Sequence, residues 1–353
     1  MESTKPEDWV SPEQRKAAAL GTGLTLDEYM DQWMAVTKIR ETTWMQYERH
    51  IRLRIAPVLG ETSLRRLTRQ MIAAWWRKLD GSRSDDQAYS LLRTILNTAV
   101  EDGLLKENPC AVKGAGKPSK QRSIDPPDPA AVQLVADEMP PRWRIGVLLA
   151  AWCGPRSGEV RELRRKDIVI RTETRGGKET TVGTIVIDRA VARAGTRLII
   201  GPTKTDAGQR RVPIPSALIP AVEAHLRDWV GPLPESLVIS TEDDETVHDG
   251  RWNRAFRSAA IRALAPQSEW DKVMTAHQGK KGRIPLPDWE PGITFHDLRH
   301  VAMTNAGIAG ATIKELQAMA GHTTPNMAMR YQEVARSHLD EVMDRVSAMI
   351  PAQ

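Results

Sequence analysis

The sequence predicts a mainly α-helical protein with one small antiparallel β-sheet, an α+β chain in two domains. Three observations carry this reading. At 353 residues the chain exceeds a typical single domain. Apolar residues recur at helical spacing over most of its length. β-Branched runs are confined to the stretch from Thr181 to Ile214 and are separated by glycine-containing turns.

Residues 1–23 are polar and alanine-rich without a period, and form an N-terminal segment. A helical domain follows over 24–105. Thr25 and Glu28 read as a capping box ahead of Tyr29, Met30, Trp33 and Met34. Thr42 or Thr43 is expected to cap a second helix carrying Trp44, Tyr47 and Ile51, closed by Pro57 and Gly60. Thr68 opens a third with Ile72, Trp75, Trp76 and Leu79. Ser84 with Gln87 opens a fourth, through Leu91, Leu92, Ile95, Leu96 and Val100 to Gly103. The tryptophans are expected in the core of this four-helix unit. Residues 106–129 contain ENPCAVKGAGKPSKQRSIDPPDP, whose proline, glycine and lysine mark a basic linker.

The second domain spans 130–353. Helices are expected over about Arg142–Trp152, Gly158–Arg165, Ala217–Val230, Trp252–Ala263, Asp297–Ala306 and Ile313–Met319, and strands at Thr181–Asp188, Arg197–Ile200 and Arg210–Ile214. Residues 265–292 read as an extended loop. A helical tail, 333–353, carries Leu339, Val342, Met343, Val346 and Ile350.

The two cysteines, Cys110 and Cys153, match no metal or redox spacing, which points to a reducing cytoplasmic setting. Without a long apolar run or signal peptide, no membrane partner is expected. The net charge of +5 is modest, yet basic runs occur at Arg49–Arg54, Arg65–Arg69, Lys113–Arg122, Arg161–Lys166 and Lys204–Arg211. Such patches attract polyanions, nucleic acid first among them, although arginine-rich surfaces also simply solubilise proteins.

The chemistry gathers late in the chain. Tyr331 sits nine residues after His322 and downstream of HDLRH at 296–300, while the other three tyrosines lie far upstream. A phenol is a weak acid, so a tyrosine nucleophile needs neighbours to take its proton. Attack on a phosphodiester also needs cations for the nonbridging oxygens and an acid for the leaving oxygen. Arginine suits the first task and lysine or histidine the second. Arg156, Lys204, His296, Arg299, His300 and His322 supply these groups. Singly, each has a blander reading: Arg156 could cap a helix or pair with Glu159, and Lys204 could be a solvated hairpin lysine. His296 and His300, four apart, lack the glutamate and third ligand of a zinc site, so no metal is expected.

Four segments in order, CGPRSGEVRELRRKDI, PTKTDAGQRRVPIP, TFHDLRHVAMT and MAGHTTPNMAMRYQEV, resemble the boxes of tyrosine recombinases of the phage integrase family, of the actinobacterial-phage type. The resemblance spans the second domain and implies a tyrosine-recombinase catalytic domain, preceded by a helical core-binding domain. It implies that Arg156 and Arg299 grip the scissile phosphate, His322 hydrogen-bonds it, Lys204 protonates the departing 5′ oxygen and His296 takes the proton of Tyr331, the nucleophile. Glu159 and His300 are implied as supporting groups.

The implied activity is site-specific recombination of a phage or mobile element without metal, ATP or cofactor. Its partners are double-stranded DNA attachment sites, a homo-tetramer on DNA and a host bending or directionality factor. Candidate DNA contacts are Arg52, Arg54, Arg65, Arg66, Lys117, Lys120, Arg210, Arg211, Lys280 and Lys281. Dimer resolution, type IB topoisomerase activity and a catalytically silent regulator are the alternatives. Many relatives of this type carry a further arm-binding domain; here the text resembling the end of that region starts almost at once, as expected of an arm-independent integrase or a shortened chain.

Overall fold

Thr25 begins the first helix as its sequence dictates. Its hydroxyl accepts from Glu28 N–H, and the Glu28 carboxylate returns the bond to Thr25 N–H at 2.8 Å. The computed structural model describes residues 23–116, 127–203, 208–278, 280, 282–321 and 343. Its contacts divide the chain into two compact units, Met1–Ser123 and Ile124–Gln353.

In the first unit, α1 (Leu26–Val36) buries Leu26, Tyr29, Met30, Trp33 and Met34. α2 (Glu41–His50) starts after Arg40, ahead of the expected threonine caps, and makes no side-chain cap bond. Pro57 does not end it. The chain passes through a widened π turn, Ile51–Ile55, into α3 (Ala56–Leu59), with the proline in its first turn. The wide turn moves the preceding carbonyls off the proline ring, so the helical path survives a residue that would otherwise break it. α4 (Arg69–Arg77) is capped by Thr68. α5 (Arg83–Glu101) starts at Ser82 with Asp85, two residues before the expected pair. Trp33 and Trp75 are core residues, and Trp75 stacks on Tyr89 with centroids 6.2 Å apart. Trp44 departs from the expectation and is 43% exposed. Each fully buried side chain such as Ile72 or Leu92 contributes about 1.5–3 kcal/mol of transfer free energy.

In the second unit, α6 (Pro129–Asp137) is capped by Asp128. α7 (Pro141–Cys153) is apolar all round from Ile145 onward, as a helix segment enclosed by its own domain must be, and carries Arg142 and Arg144 in its first turn. It packs against α6, α9 (Ile219–Trp229) and α12 (Asp297–Ile308). Between them the helix expected over 158–165 shrinks to one turn, α8 (Ser157–Val160), and a 3₁₀ turn, Arg165–Asp167.

The expected small antiparallel sheet is present, and among the described residues a second, two-stranded one accompanies it. β1 (Ile168–Arg175), β2 (Lys178–Ile187) and β5 (Arg210–Ile214) form an antiparallel sheet in the order β1-β2-β5, with Ile168 opposite Ile185 and Ile185 opposite Val212. β3 (Arg189–Ala194) and β4 (Arg197–Pro202) form a separate hairpin. β1 and β3 escape a pattern search because arginines, threonines, alanines and glutamate interrupt their apolar positions.

α10 (Asp249–Leu264) puts Trp252 and Phe256 into the core beside Phe295. The expected loop over 265–292 contains a helix, α11 (Gln267–His277), none of whose residues is buried. Side-chain bonds from Gln267 to Asp271 and from Lys272 to Glu269 support it, so it lacks the apolar stripe that periodicity detects. α13 (Ile313–Ala320) opens with a Thr312–Glu315 capping box and closes on Gly321 at φ 59°. The helical tail expected over 333–353 lies outside the described residues, Met343 apart.

Candidate active site

α7 ends at Gly154, whose φ of 74° is the left-handed conformation that stops a helix. Two residues later Arg156 precedes α8. Its backbone N–H donates to Glu159 Oε2 at 2.7 Å and its Nη1 to Glu159 Oε1 at 2.9 Å. Both blander readings of Arg156 are therefore realised in its geometry, yet 40% of its side chain remains exposed. Gly158 is required here: a Cβ would stand 2.3 Å from the Val191 carbonyl oxygen, so only glycine lets α8 lie against β3.

Glu159 is buried and also accepts Arg210 in a fork, Nη2 to Oε2 at 2.7 Å and Nη1 to Oε1 at 3.1 Å. Burial by itself raises the carboxyl pKa. The Arg210 hydrogen bonds and charge, then those of Arg156, outweigh it and hold the group below the ordinary 4.5. Arg210 continues onward, Nε to Met319 O at 2.8 Å and Nη1 to Gly208 O at 2.9 Å. As a candidate for DNA contact Arg210 is corrected: β5 turns its side chain inward, where 4% is exposed.

Arg299, in α12, is also buried. Nη1 donates to Gly154 O at 2.6 Å and Nη2 to Ala320 O. Cations at Met319 O and Ala320 O meet the negative end of α13, where unpaired carbonyls favour them. The contacts close a circuit: Gly154 to Arg156 along the chain, then Glu159, Arg210, the end of α13, Arg299 and Gly154 again.

His296 precedes α12 with its side chain exposed, and His300 is half-buried one turn on. Their rings meet edge-to-face, 5.4 Å between centroids. Shielding by surrounding protein, then the His300 and Arg299 charges, holds the His296 pKa below the ordinary 6.5, with Asp297 opposing and Arg156 adding to the shift. His300 is lowered by burial, opposed by Asp297. Asp297 is fixed by Thr294, whose N–H and hydroxyl donate to Oδ2 at 2.7 and 2.9 Å.

The structure thus brings Arg156, Glu159, Arg299, His296 and His300 into one neighbourhood. Lys204, His322 and Tyr331 lie outside the described residues. Of the described residues next to them, Thr203 and Gly208, on either side of the segment that holds Lys204, lie at close range, and Gly321, which precedes His322, ends α13. Among the described residues no three His, Cys, Asp or Glu side chains cluster as a metal site requires.

Of the remaining candidates, Arg65, Arg66, Arg211 and Lys280 are exposed, and Arg52 is exposed while bonded to Glu48 at 2.8 Å. Arg54 is turned to the buried carboxylate of Asp85 at 2.5 Å. Lys117, Lys120 and Lys281 lie outside the described residues. Sequence reasoning missed the inward role of Arg210. Its signal was the alternation of β5, where Arg210, Val212 and Ile214 share the buried face.

Guanidinium groups, an exposed imidazole with a lowered pKa and a carboxylate that orients Arg156 define an anion-binding centre with acid–base capability. Comparison with known proteins narrows the class. Residues 25–79 match the domain described as phage integrase, N-terminal SAM-like, and residues 133–338 match the phage integrase family. The chain is 33% identical over 347 residues to the integrase of Mycobacterium phage FRAT1, covering 97% of this chain and 94% of that one. It is 33% identical over 349 residues to the integrase of Mycobacterium phage L5, covering 97% and 84%. Among solved structures, the fold is similar to the Tn1549 transposon integrase in complex with transposon right end DNA, with a TM-score of 0.67, 17% identity, and coverage of 91% of this chain and 100% of that chain. A lambda integrase dimer bound to a COC′ core site gives 0.58 and 20%, covering 92% and 81%. The chain belongs to the phage integrase family: it is a tyrosine recombinase, an enzyme of site-specific DNA recombination.

Proposed function

We propose that this integrase cleaves and rejoins double-stranded attachment sites through a 3′-phosphotyrosyl intermediate formed by Tyr331. The Tyr331 oxygen attacks the scissile phosphorus and the bond to the 5′ oxygen breaks. His296 takes the phenolic proton and Lys204 protonates the leaving oxygen. Arg156, Arg299 and His322 hold the nonbridging oxygens as charge develops, a task suited to fixed guanidinium donors. Joining of the second strand reverses these steps, so the bond energy is conserved without metal, cofactor or ATP.

The observation that carries this reading is the convergence of Arg156 and Arg299 on His296, with Arg299 bonded to Gly154 O and Arg156, two residues on, held by buried Glu159. A neutral imidazole beside two guanidinium groups is poised to accept a proton. Exchange between two duplexes needs four cleavages, which we take to involve four copies on DNA, assisted by a host bending or directionality factor. The setting is the bacterial cytoplasm, on chromosomal and element DNA. No described helix is long and apolar enough to cross a membrane.

A nicked suicide duplex bearing the attachment core tests the reading. The wild-type chain is expected to accumulate a covalent protein–DNA band, and Tyr331→Phe to form none while binding the duplex with unchanged affinity. Losing either Arg156 or Arg299 should slow capture by roughly 10²–10³-fold, as for other charge-stabilising donors. A covalent band that persists in Tyr331→Phe sinks the proposal.

A further inference from the structure

Arg210 is buried in the second unit, and its four N–H···O bonds among the described residues all end on protein. Each partner belongs to a segment that leads directly to a proposed catalytic group. Glu159 holds Arg156; Gly208 lies four residues after Lys204; Met319 lies three residues before His322. We propose that Arg210 is a positioning residue, one guanidinium that registers the segments bearing Arg156, Lys204 and His322 against one another. This rests on the phosphoryl-transfer reading above.

The electrostatics give Arg210 a second part in the same task. A buried carboxylate needs a counter-charge, and Glu159 divides its charge between Arg210 and Arg156. Because Arg210 supplies the inner, two-pronged bond, Arg156 is held by one Nη and keeps 40% of its side chain exposed, free to meet a phosphate. Without Arg210, Glu159 would bind Arg156 alone and compete with the phosphate for it. Lysine is a poor substitute, since its three donors sit on one nitrogen, whereas the guanidinium spreads its donors over three to reach both Glu159 oxygens and the Met319 and Gly208 carbonyls.

The test uses the full chain and the nicked suicide duplex, with Arg210→Met, Arg210→Lys and the double variant Arg210→Met/Glu159→Gln. Covalent capture in a single turnover, duplex affinity and melting temperature are measured for each, from about pH 6 to about pH 8 so that a raised carboxyl pKa is visible. Arg210→Met is expected to slow capture by about 10²-fold or more while affinity shifts by less than about threefold, because many other phosphate contacts supply binding. Arg210→Lys, which keeps the charge and carries the test if the methionine variant fails to fold, is expected to stay at least about tenfold slow.

The double variant should recover at least about tenfold over Arg210→Met, since the neutral amide introduced by Glu159→Gln no longer holds Arg156. The capture rate of Arg210→Met relative to wild type should rise as pH falls, because the buried carboxyl, left with Arg156 as its one guanidinium partner, protonates more readily and then releases Arg156. Capture within about threefold of wild type in folded Arg210→Lys and Arg210→Met overturns the proposal. So does a loss that follows melting temperature alone, with no gain from adding Glu159→Gln and no pH dependence, or one that falls entirely on affinity, which would return Arg210 to the DNA interface. If wild type itself forms no Tyr331-dependent adduct, the functional reading fails first and takes this role with it.

Discussion

At the scale of single residues, His296 shows how placement sets chemistry. Shielding comes first, then the His300 and Arg299 charges, and together they outweigh Asp297 and hold the imidazole below 6.5. The group is therefore neutral at pH 7 and able to take a proton. The sign for stability follows. Between the unfolded value of 6.5 and the lower folded value, the unfolded chain binds a proton that the folded chain refuses, so stability drops as pH falls through that window and is fully present above it. A histidine-labelled NMR titration of the DNA-free chain should place the His296 and His300 midpoints below 6.5. A His296 midpoint above that value would remove it as the proton acceptor at neutral pH. The motif spacing made Arg156, His296 and Arg299 legible in the sequence, because each sits in a short box of chemically coherent neighbours. The Glu159–Arg210 pair was not legible: 51 residues separate the partners, and only the fold of β5 against α8 joins them.

At the scale of elements, caps were legible where one candidate stood alone, as at Thr25 and Thr68, and ambiguous where two overlapped. Before α5, Ser82–Asp85 and Ser84–Gln87 compete. The former wins because buried Asp85 both returns the cap bond at 2.9 Å and pairs with Arg54 at 2.5 Å. Ser82→Ala should thus lower unfolding free energy by about 1 kcal/mol in denaturant titrations, and Ser84→Ala by a few tenths at most. Equal losses would show that the cap is shared. Elements that break a local rule stayed hidden: Pro57 inside a helical path, α11 without an apolar stripe, and β1 and β3 with polar interruptions. In each case neighbouring structure overrides local pattern.

At the scale of the whole molecule, each unit builds its own core, and function is a matter of charge displayed on those frames. With a net charge of +5 the chain depends on local patches for its hold on a polyanion. Affinity for a core duplex should fall steeply with salt, and removing exposed Arg65 or Arg66 should lower the slope of log K against log salt by about one each. An unchanged slope in both variants would take that patch off the DNA path. The same frames leave the cell's oxidants and laboratory alkylators little to attack. Cys110 and Cys153 are both buried, with burial pushing each thiol up to about 12, so neither presents a reactive thiolate at neutral pH. A cysteine introduced on the surface can therefore carry a fluorophore or spin label against a silent background, with no native thiol replaced.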